Sequence, residues 1–226
     1  MTAQPSDWSA VAELRQGLYR FFGGALMLPD ADRLEILSAS TGILADMGVD
    51  DFAFADRWHA MEAALDALPG AEDLEAEYMR LFVTGSAGPA TPPVESHYSR
   101  AGADGGLVIA KLRRDYAGVG LEVRPGLPYP ADHVATELEV MASLCHREAH
   151  AWEGGDTAQA VATLRREWTF LDRHLARWLP QLARRVRSET EGGFYAELVG
   201  AADAFVTHDH ELVTMLARTA VAGVGR

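Results

Sequence analysis

From Val134 to Trp152 the apolar residues Val134, Leu138, Met141, Cys145, Ala149 and Trp152 recur every three or four positions, and nothing else in the chain alternates apolar with polar over a comparable length. Recurrence at three and four places side chains on one face of an α-helix, whereas a half-buried strand needs a period of two. A chain that repeats the first pattern and lacks the second folds by packing helix on helix. The same spacing returns in Val11, Leu14, Leu18, Phe22 and Ala25, and in Leu34, Leu37 and Leu44. It returns again in Phe54, Trp58, Met61, Leu65 and Leu68, in Val108, Ile109, Leu112 and Tyr116, and in Val161, Leu164, Trp168, Leu171, Leu175 and Trp178. A last set, Tyr195, Leu198, Ala202, Phe205, Leu212, Val213 and Leu216, closes the series. The expected fold is an all-α bundle of roughly eight to ten helices, one domain over residues 1–226 with a hinge around residues 118–131.

Local chemistry sets the expected boundaries. Ser6 or Asp7 can cap a first helix running to Leu28, since a short oxygen side chain accepts from open N–H groups. Pro29-Asp30, Gly48, Pro69-Gly70, Gly154-Gly155 and Gly192-Gly193 punctuate the helices that follow. Asp132 is placed to cap the Val134–Trp152 helix, and Asp156 or Thr157 the next one. Pro180 should kink or restart its helix, because proline has no N–H to donate. His208-Asp209-His210 reads as a solvated polar turn, the 222–226 tail as frayed, and His146, Arg147, Glu148 and His150 as a solvated face.

Two stretches escape the helical pattern. After Leu74, Tyr78, Leu81 and Phe82, which share one face, Gly85, Gly88, Pro89, Pro92 and Pro93 forbid a helix, and Glu95, Ser96, His97 and Tyr98 follow. Val119–Pro130 holds three prolines and two glycines. Long irregular segments in compact domains carry binding groups when a rigid scaffold holds them. The two stretches are therefore expected to line one groove. Glu95 and Ser96 offer hydrogen bonds that anchor the loop or meet a peptide, and Glu95 can pair with an arginine of a ligand.

Composition narrows the function. The formal net charge of -13 repels phosphate backbones and disfavours nucleic acid, while attracting a cationic partner. No run of about 18 apolar residues exists to span a membrane, and the N-terminus lacks the basic and apolar regions of a signal peptide. The lone Cys145 cannot form an internal disulfide, which fits the cytoplasm; lying on an apolar stripe, it reads as an inert thiol. No nucleophile elbow, phosphate loop or dinucleotide fingerprint occurs, so neither catalysis nor a cofactor is expected.

Three blocks in order resemble the TorD/DmsD family of redox-enzyme maturation chaperones. Glu77–Phe82 with Pro92–Tyr98 resembles its E-Y-x-R-L-F and P-P-x-E-S-x-Y, and Pro130–Met141 resembles P-x-D-H followed by E-L-E-F-M. Phe170–Pro180 resembles F-L-x-x-H-L-x-x-W-x-P, with Phe194-Tyr195 after it. The resemblance covers about residues 75–210 and implies a TorD-like helical chaperone for the catalytic subunit of a molybdopterin-dependent oxidoreductase. It implies binding of that client's twin-arginine signal peptide before cofactor insertion and export. Tyr78, Leu81, Phe82, Pro93 and Pro130 would then supply an apolar trough, and Glu95, Ser96, Asp132, His133 and Glu137 the polar groups. The family's P-x-D-H residues are the ones implicated in peptide binding. His174, Trp178 and Pro180 match the family but fall on or beside the apolar stripe and read as structural. Arg173, Arg177, Arg184, Arg185 and Arg187 read as a solvated outer face.

The chain departs from the family pattern at Val94, at Thr84–Gly88 and at Val140, which bears on which client is served. Both a monomer and a homodimer exchanging helices through Val119–Pro130 are compatible with the sequence. The alternative is a helical metal-binding protein or enzyme built on His133 and Glu137, which have ligand spacing at i and i+4, with His146 and His150.

Overall fold

The computed structural model describes residues 5–68, 70–85, 88–99, 105–123, 126, 128–190 and 192–224. Among them are ten α-helices: α1 Pro5–Ala25, α2 Ala31–Asp46, α3 Ala55–Asp66, α4 Ala71–Tyr78, α5 Glu95–Tyr98, α6 Gly105–Gly118, α7 Val134–Glu153, α8 Thr157–Arg173, α9 Leu175–Glu189 and α10 Phe194–Val224. No β-strand occurs among the described residues; one isolated antiparallel bridge joins Val94 and His133. A 3-10 turn, Val49–Asp51, precedes α3, and a π turn, Met79–Val83, extends α4. Pro69 and residues 225–226, named above as a breaker and part of a frayed tail, lie outside the described residues.

Helix α7 is the centre of the bundle. Its stripe is buried from Val134 to Trp152, and α1 lies along it. Gly23 of α1 faces this contact, where a Cβ would stand 3.6 Å from the Ala135 carbonyl and the Leu138 side chain, at ordinary van der Waals distance. Helices α8 and α10 pack around the pair, and α9 packs on α10. One contiguous hydrophobic cluster runs from Leu14 of α1 to Leu216 of α10. The aromatic side chains Phe22, Trp58 and Phe205 stack or meet edge-on within it, which ties α1, α3 and α10 together.

Several boundaries differ from the sequence expectation, each for a local reason. Helix α1 starts at Pro5, so Ser6 and Asp7 lie inside its first turn; proline suits that position because its missing N–H would have had no partner. Helix α1 ends at Ala25, ahead of Leu28. The residue capping α7 is His133, whose Nδ1 accepts from the Ala135 N–H at 3.1 Å; Asp132 is one residue too early. Asp30 and Asp156 do cap, accepting from Arg33 N–H and Gln159 N–H. The break between α8 and α9 falls at His174, where φ is -127° and ψ -100°, and Pro180 is carried inside α9. Helix α10 runs unbroken through His208–His210 instead of turning there.

The last difference has an electrostatic cause. Arg15 of α1 is buried, with Nε 2.5 Å from Asp209 Oδ1, Nη1 2.5 Å from Glu148 Oε2 and Nη2 2.5 Å from Glu167 Oε2. Tyr19 donates to Asp209 Oδ2 at 2.6 Å, and Trp152 Nε1 donates to Glu148 Oε1 at 2.9 Å. One guanidinium thus gathers carboxylates from α7, α8 and α10 in the interior, where an unpaired charge would be prohibitive. Asp209 is therefore a core residue and Glu148 is not solvated; both were expected outside. Turning Glu167 inward rotates Trp168 out of the predicted stripe, 40% exposed and stacked on His210. Burial pushes the Glu167 carboxyl up to about 8, with Arg15 pulling the other way. Burial also pushes the Cys145 thiol up, as an inert core cysteine requires.

Candidate functional site

The stretch from Glu77 to Tyr98 is fixed at both ends. At its start, Tyr78 and Phe82 pack edge-on to each other and to Tyr195 of α10, with ring centroids 5.1–5.7 Å apart. Leu81 is fully buried, and its carbonyl accepts from both the N–H and the hydroxyl of Thr91, at 2.9 and 2.8 Å. At its end, the Val134 N–H donates to the Pro93 carbonyl at 2.9 Å, and the Glu95 N–H donates to the Asp132 carbonyl at 2.8 Å. These two bonds flank the Val94–His133 bridge and bind the loop to the entrance of α7. The two irregular stretches expected to share a groove are thus neighbours, because the second one ends where the first is pinned.

Around this crossing the structure gathers Glu95, Ser96, Asp132, His133 and Glu137. Glu95 Oε2 is 2.9 Å from His174 Nδ1, and His174 Nε2 is 2.9 Å from Asp115 Oδ2. A ring with carboxylates on both nitrogens joins α5, α6 and the α8–α9 break. Glu137 Oε2 accepts from Trp178 Nε1 at 3.1 Å, while Oε1 has no partner among the described residues. Burial, reinforced by the Glu95 charge, pushes Glu137 well above the usual carboxylate range. The Asp132 side chain turns toward the Ser96 N–H at 3.4 Å. Tyr116 donates to the Ala131 carbonyl at 2.6 Å.

Most of the predicted site residues are interior. Tyr78, Leu81, Phe82, Pro93, Glu95, Asp132, His133 and Glu137 are buried, Ser96 is half-buried, and only Pro130 is exposed. The alternative built on metal ligation meets a different use of the same atoms. His133 Nδ1 is a helix cap and Glu137 is bonded to Trp178, and among the described residues no group of three His, Cys, Asp or Glu side chains is placed to hold a metal ion. His146 and His150 stand exposed.

The open surface lies just outside. The Tyr129 ring packs on the His133 ring at 4.4 Å, and its hydroxyl accepts from the Leu28 N–H at 2.7 Å. Beside it is a cleft of about 300 Å³ lined by Met27, Val123, Pro128, Tyr129, Thr136 and Val140, and by the carboxylates Glu122 and Glu139. Both carboxylates are exposed. A second cleft of about 730 Å³ opens on the other side of Tyr116, Leu121 and Tyr129. An apolar slot with acids at its mouth suits an apolar segment that carries cationic residues. Sequence reasoning did not single out Glu122, Glu139 or Tyr129. No local signal marked them: Glu122 lies within the irregular stretch and Glu139 on an exposed position of α7.

His133 gives a direct readout of this geometry. Burial lowers its imidazole to about 4. Its Cε1 proton, followed by nuclear magnetic resonance, should therefore stay constant from pH 8 to pH 6 and move with a midpoint near 4. A midpoint at the ordinary value of 6.5 would mean that the ring is solvated and the Tyr129–His133 wall is open.

Comparison with known proteins agrees with the architecture. The family model described as nitrate reductase delta subunit matches residues 50–184. A chlorate reductase assembly chaperone protein from Ideonella dechloratans is 32% identical over 166 residues, covering 71% of this chain and 83% of that protein. A selenate reductase assembly chaperone protein from Thauera selenatis is 34% identical over 154 residues, covering 66% and 77%. The chaperone protein TorD of Vibrio cholerae is 29% identical, covering 67% and 68%. In fold, the chain is similar to a redox enzyme maturation protein from Archaeoglobus fulgidus, with a TM-score of 0.51, 21% identity, and coverage of 85% and 93%. The helical architecture, the three sequence blocks and these relatives have one meaning: the chain belongs to the nitrate reductase delta subunit family and is a TorD-family maturation chaperone, not an enzyme.

Proposed function

We propose that this protein is a cytoplasmic chaperone that binds the catalytic subunit of a molybdopterin-dependent oxidoreductase through its twin-arginine signal peptide, before cofactor insertion and export. The relatives' names point to a client of the chlorate or selenate reductase kind. The observation that carries the reading is the apolar cleft with Glu122 and Glu139 exposed at its mouth. Met27, Val123, Tyr129 and Val140 take the apolar part of the peptide, and the two carboxylates meet its arginines through charge-assisted bonds. Pro130 and the Tyr129 ring touch the client. Asp132, His133, Glu95 and Glu137 stand behind them and hold the wall in place, while Tyr78, Leu81, Phe82 and Pro93 keep the loop seated. No helix among the described residues is long and apolar enough to cross a membrane.

Calorimetry with a peptide carrying two arginines followed by an apolar stretch tests this. The variant Glu122→Gln with Glu139→Gln removes two exposed charges, worth about 0.2–1 kcal/mol each against a cation. Affinity at low salt should fall about two- to thirtyfold, and the salt dependence of the parent should flatten. Equal affinity of parent and variant would place the client elsewhere.

A further inference from the structure

Helix α9 carries a charge pattern opposite to that of the chain. The protein has a formal net charge of -13, yet Arg177, Arg184, Arg185 and Arg187 lie on α9, against the single acid Glu189. The apolar face of α9, from Leu175 to Val186, is buried, so the arginines project outward and all are exposed. At 1.5 Å per residue the strip from Arg177 to Arg185 is about 12 Å long.

At the Arg177 end the strip opens into a cleft of about 550 Å³ between α5, α6 and α9, lined by Tyr98, Ser99, Lys111, Arg173, Arg177 and Gln181. The Tyr98 and Ser99 hydroxyls are buried there with no hydrogen-bond partner among the described residues. The acids at the Arg177 end are already matched, while at the other end Asp203 of α10 faces Arg184 and Arg187 and keeps Oδ1 without a hydrogen-bond partner among the described residues. Glu95 faces His174, Asp115 faces His174 and Arg173, and Asp172 faces Arg177. The ion-pair contacts of Arg173 and Arg177 are loose, at 3.6 and 3.7 Å; Arg177 also donates through Nε to the Asp172 carbonyl at 2.5 Å, and with five N–H donors on a guanidinium both keep donors to spare. Arg185 donates through Nε to the Ala90 carbonyl at 2.6 Å and faces His97 and Tyr98. What remains at the Arg177 end and in the cleft is a surface rich in donors, with Asp203 facing the Arg184 end.

We propose that this strip and its cleft receive an extended acidic segment of a partner protein. The length decides between a chain and a compact ligand: at about 3.3 Å per residue an extended segment needs about four residues to cover the strip alone. Its carboxylates pair with Arg177, Arg184 and Arg185, and its end enters the cleft toward Lys111 and the two open hydroxyls. The surface shares no residue with the acid-rimmed cleft, so the chaperone presents an acidic and a basic recognition surface to two chemically opposite segments. Complementary charge speeds such an encounter and makes it sensitive to salt.

The test uses the full chain and a fluorescein-labelled hexaglutamate peptide, followed by anisotropy at low salt. Saturable binding is expected, weakened about tenfold or more by Arg177→Gln with Arg184→Gln and Arg185→Gln, and weakened again by Lys111→Gln. These are exposed positions, so the melting temperature should hold. A control removing Arg20 and Arg57, both outside the strip, should leave binding unchanged. Three results would overturn the proposal: no saturable binding, a control that loses as much as the strip variant, or tighter binding of inorganic pyrophosphate or single-stranded DNA to the same arginines.

Discussion

Arg15→Met is expected to lower the melting temperature by about 6–20 °C. Removing one partner of a buried ion pair costs about 3–5 kcal/mol, and a domain of this size loses about 2–4 °C per kcal/mol. Here the loss strands three carboxylates from three helices, since Arg15 is their common cation. The dependence on pH gives the mechanism away. Glu167 is held near 8 in the fold, above its ordinary value of 4.5, so the folded protein binds the extra proton through that window. Stability from this group is present below about 4.5 and is lost as pH rises toward 8. Without Arg15 to favour the charged form, the decline should be steeper in the variant. Urea unfolding at pH 6.5 and 8.5 measures it, and His133 does not interfere, because its opposite contribution is confined to the range between 6.5 and about 4. A variant as stable as the parent, or one that gains stability at the higher pH, would show that the network is solvated in solution.

Trp178→Ala should be almost as damaging. The side chain is buried, stacks on Tyr98 with centroids 5.6 Å apart, and donates to Glu137. Truncating a buried aromatic of this size costs about 3–5 kcal/mol. Trp178→Phe separates the two contributions, because it keeps most of the packing and removes only the donor. That change leaves both Glu137 oxygens without a partner, at a cost of about 1–3 kcal/mol. Differential scanning calorimetry should therefore rank parent above Phe above Ala. If Phe matches the parent, the Glu137 bond contributes nothing, and α9 is held against α7 by packing alone.

The helices were legible because burial repeats at the helical period, and α7 shows it from end to end. What the period could not reveal was a charged residue turned inward. Arg15 sits among Leu14, Leu18 and Tyr19 on the buried side of α1, but its partners are more than 130 positions away, and only the fold brings them together. The same hidden cation misplaced Glu148, Trp168 and Asp209 together. At the candidate site the sequence located the right neighbourhood, since Glu95, Ser96, Asp132, His133 and Glu137 do meet. It assigned them to the surface because polar side chains are mostly exposed, whereas here each has found a partner within the wall. The exposed Glu122 and Glu139 went unremarked, because an acid beside an irregular segment carries no local signature. Helix α5 was read as loop: it is four residues long and is held by Asp132 and His133 instead of by any propensity of its own.

The wide turn at Met79–Val83 stores one residue more than an α-helix needs. Its closing bond runs from the Thr84 N–H to the Met79 carbonyl at 2.7 Å, one position longer than an α-helical step. Deleting a single residue there would let the segment close as ordinary α-helix, with the same carbonyl closing the turn and the chain beyond it keeping its face. If the residue lost were Leu81 or Phe82, the carbonyl that receives both Thr91 donors or the ring edge against Tyr195 would go with it. A homologue one residue shorter at this point can therefore keep the helix and its flanks in register, and a single gap placed here in an alignment marks the loss of the wide turn, not of the helix.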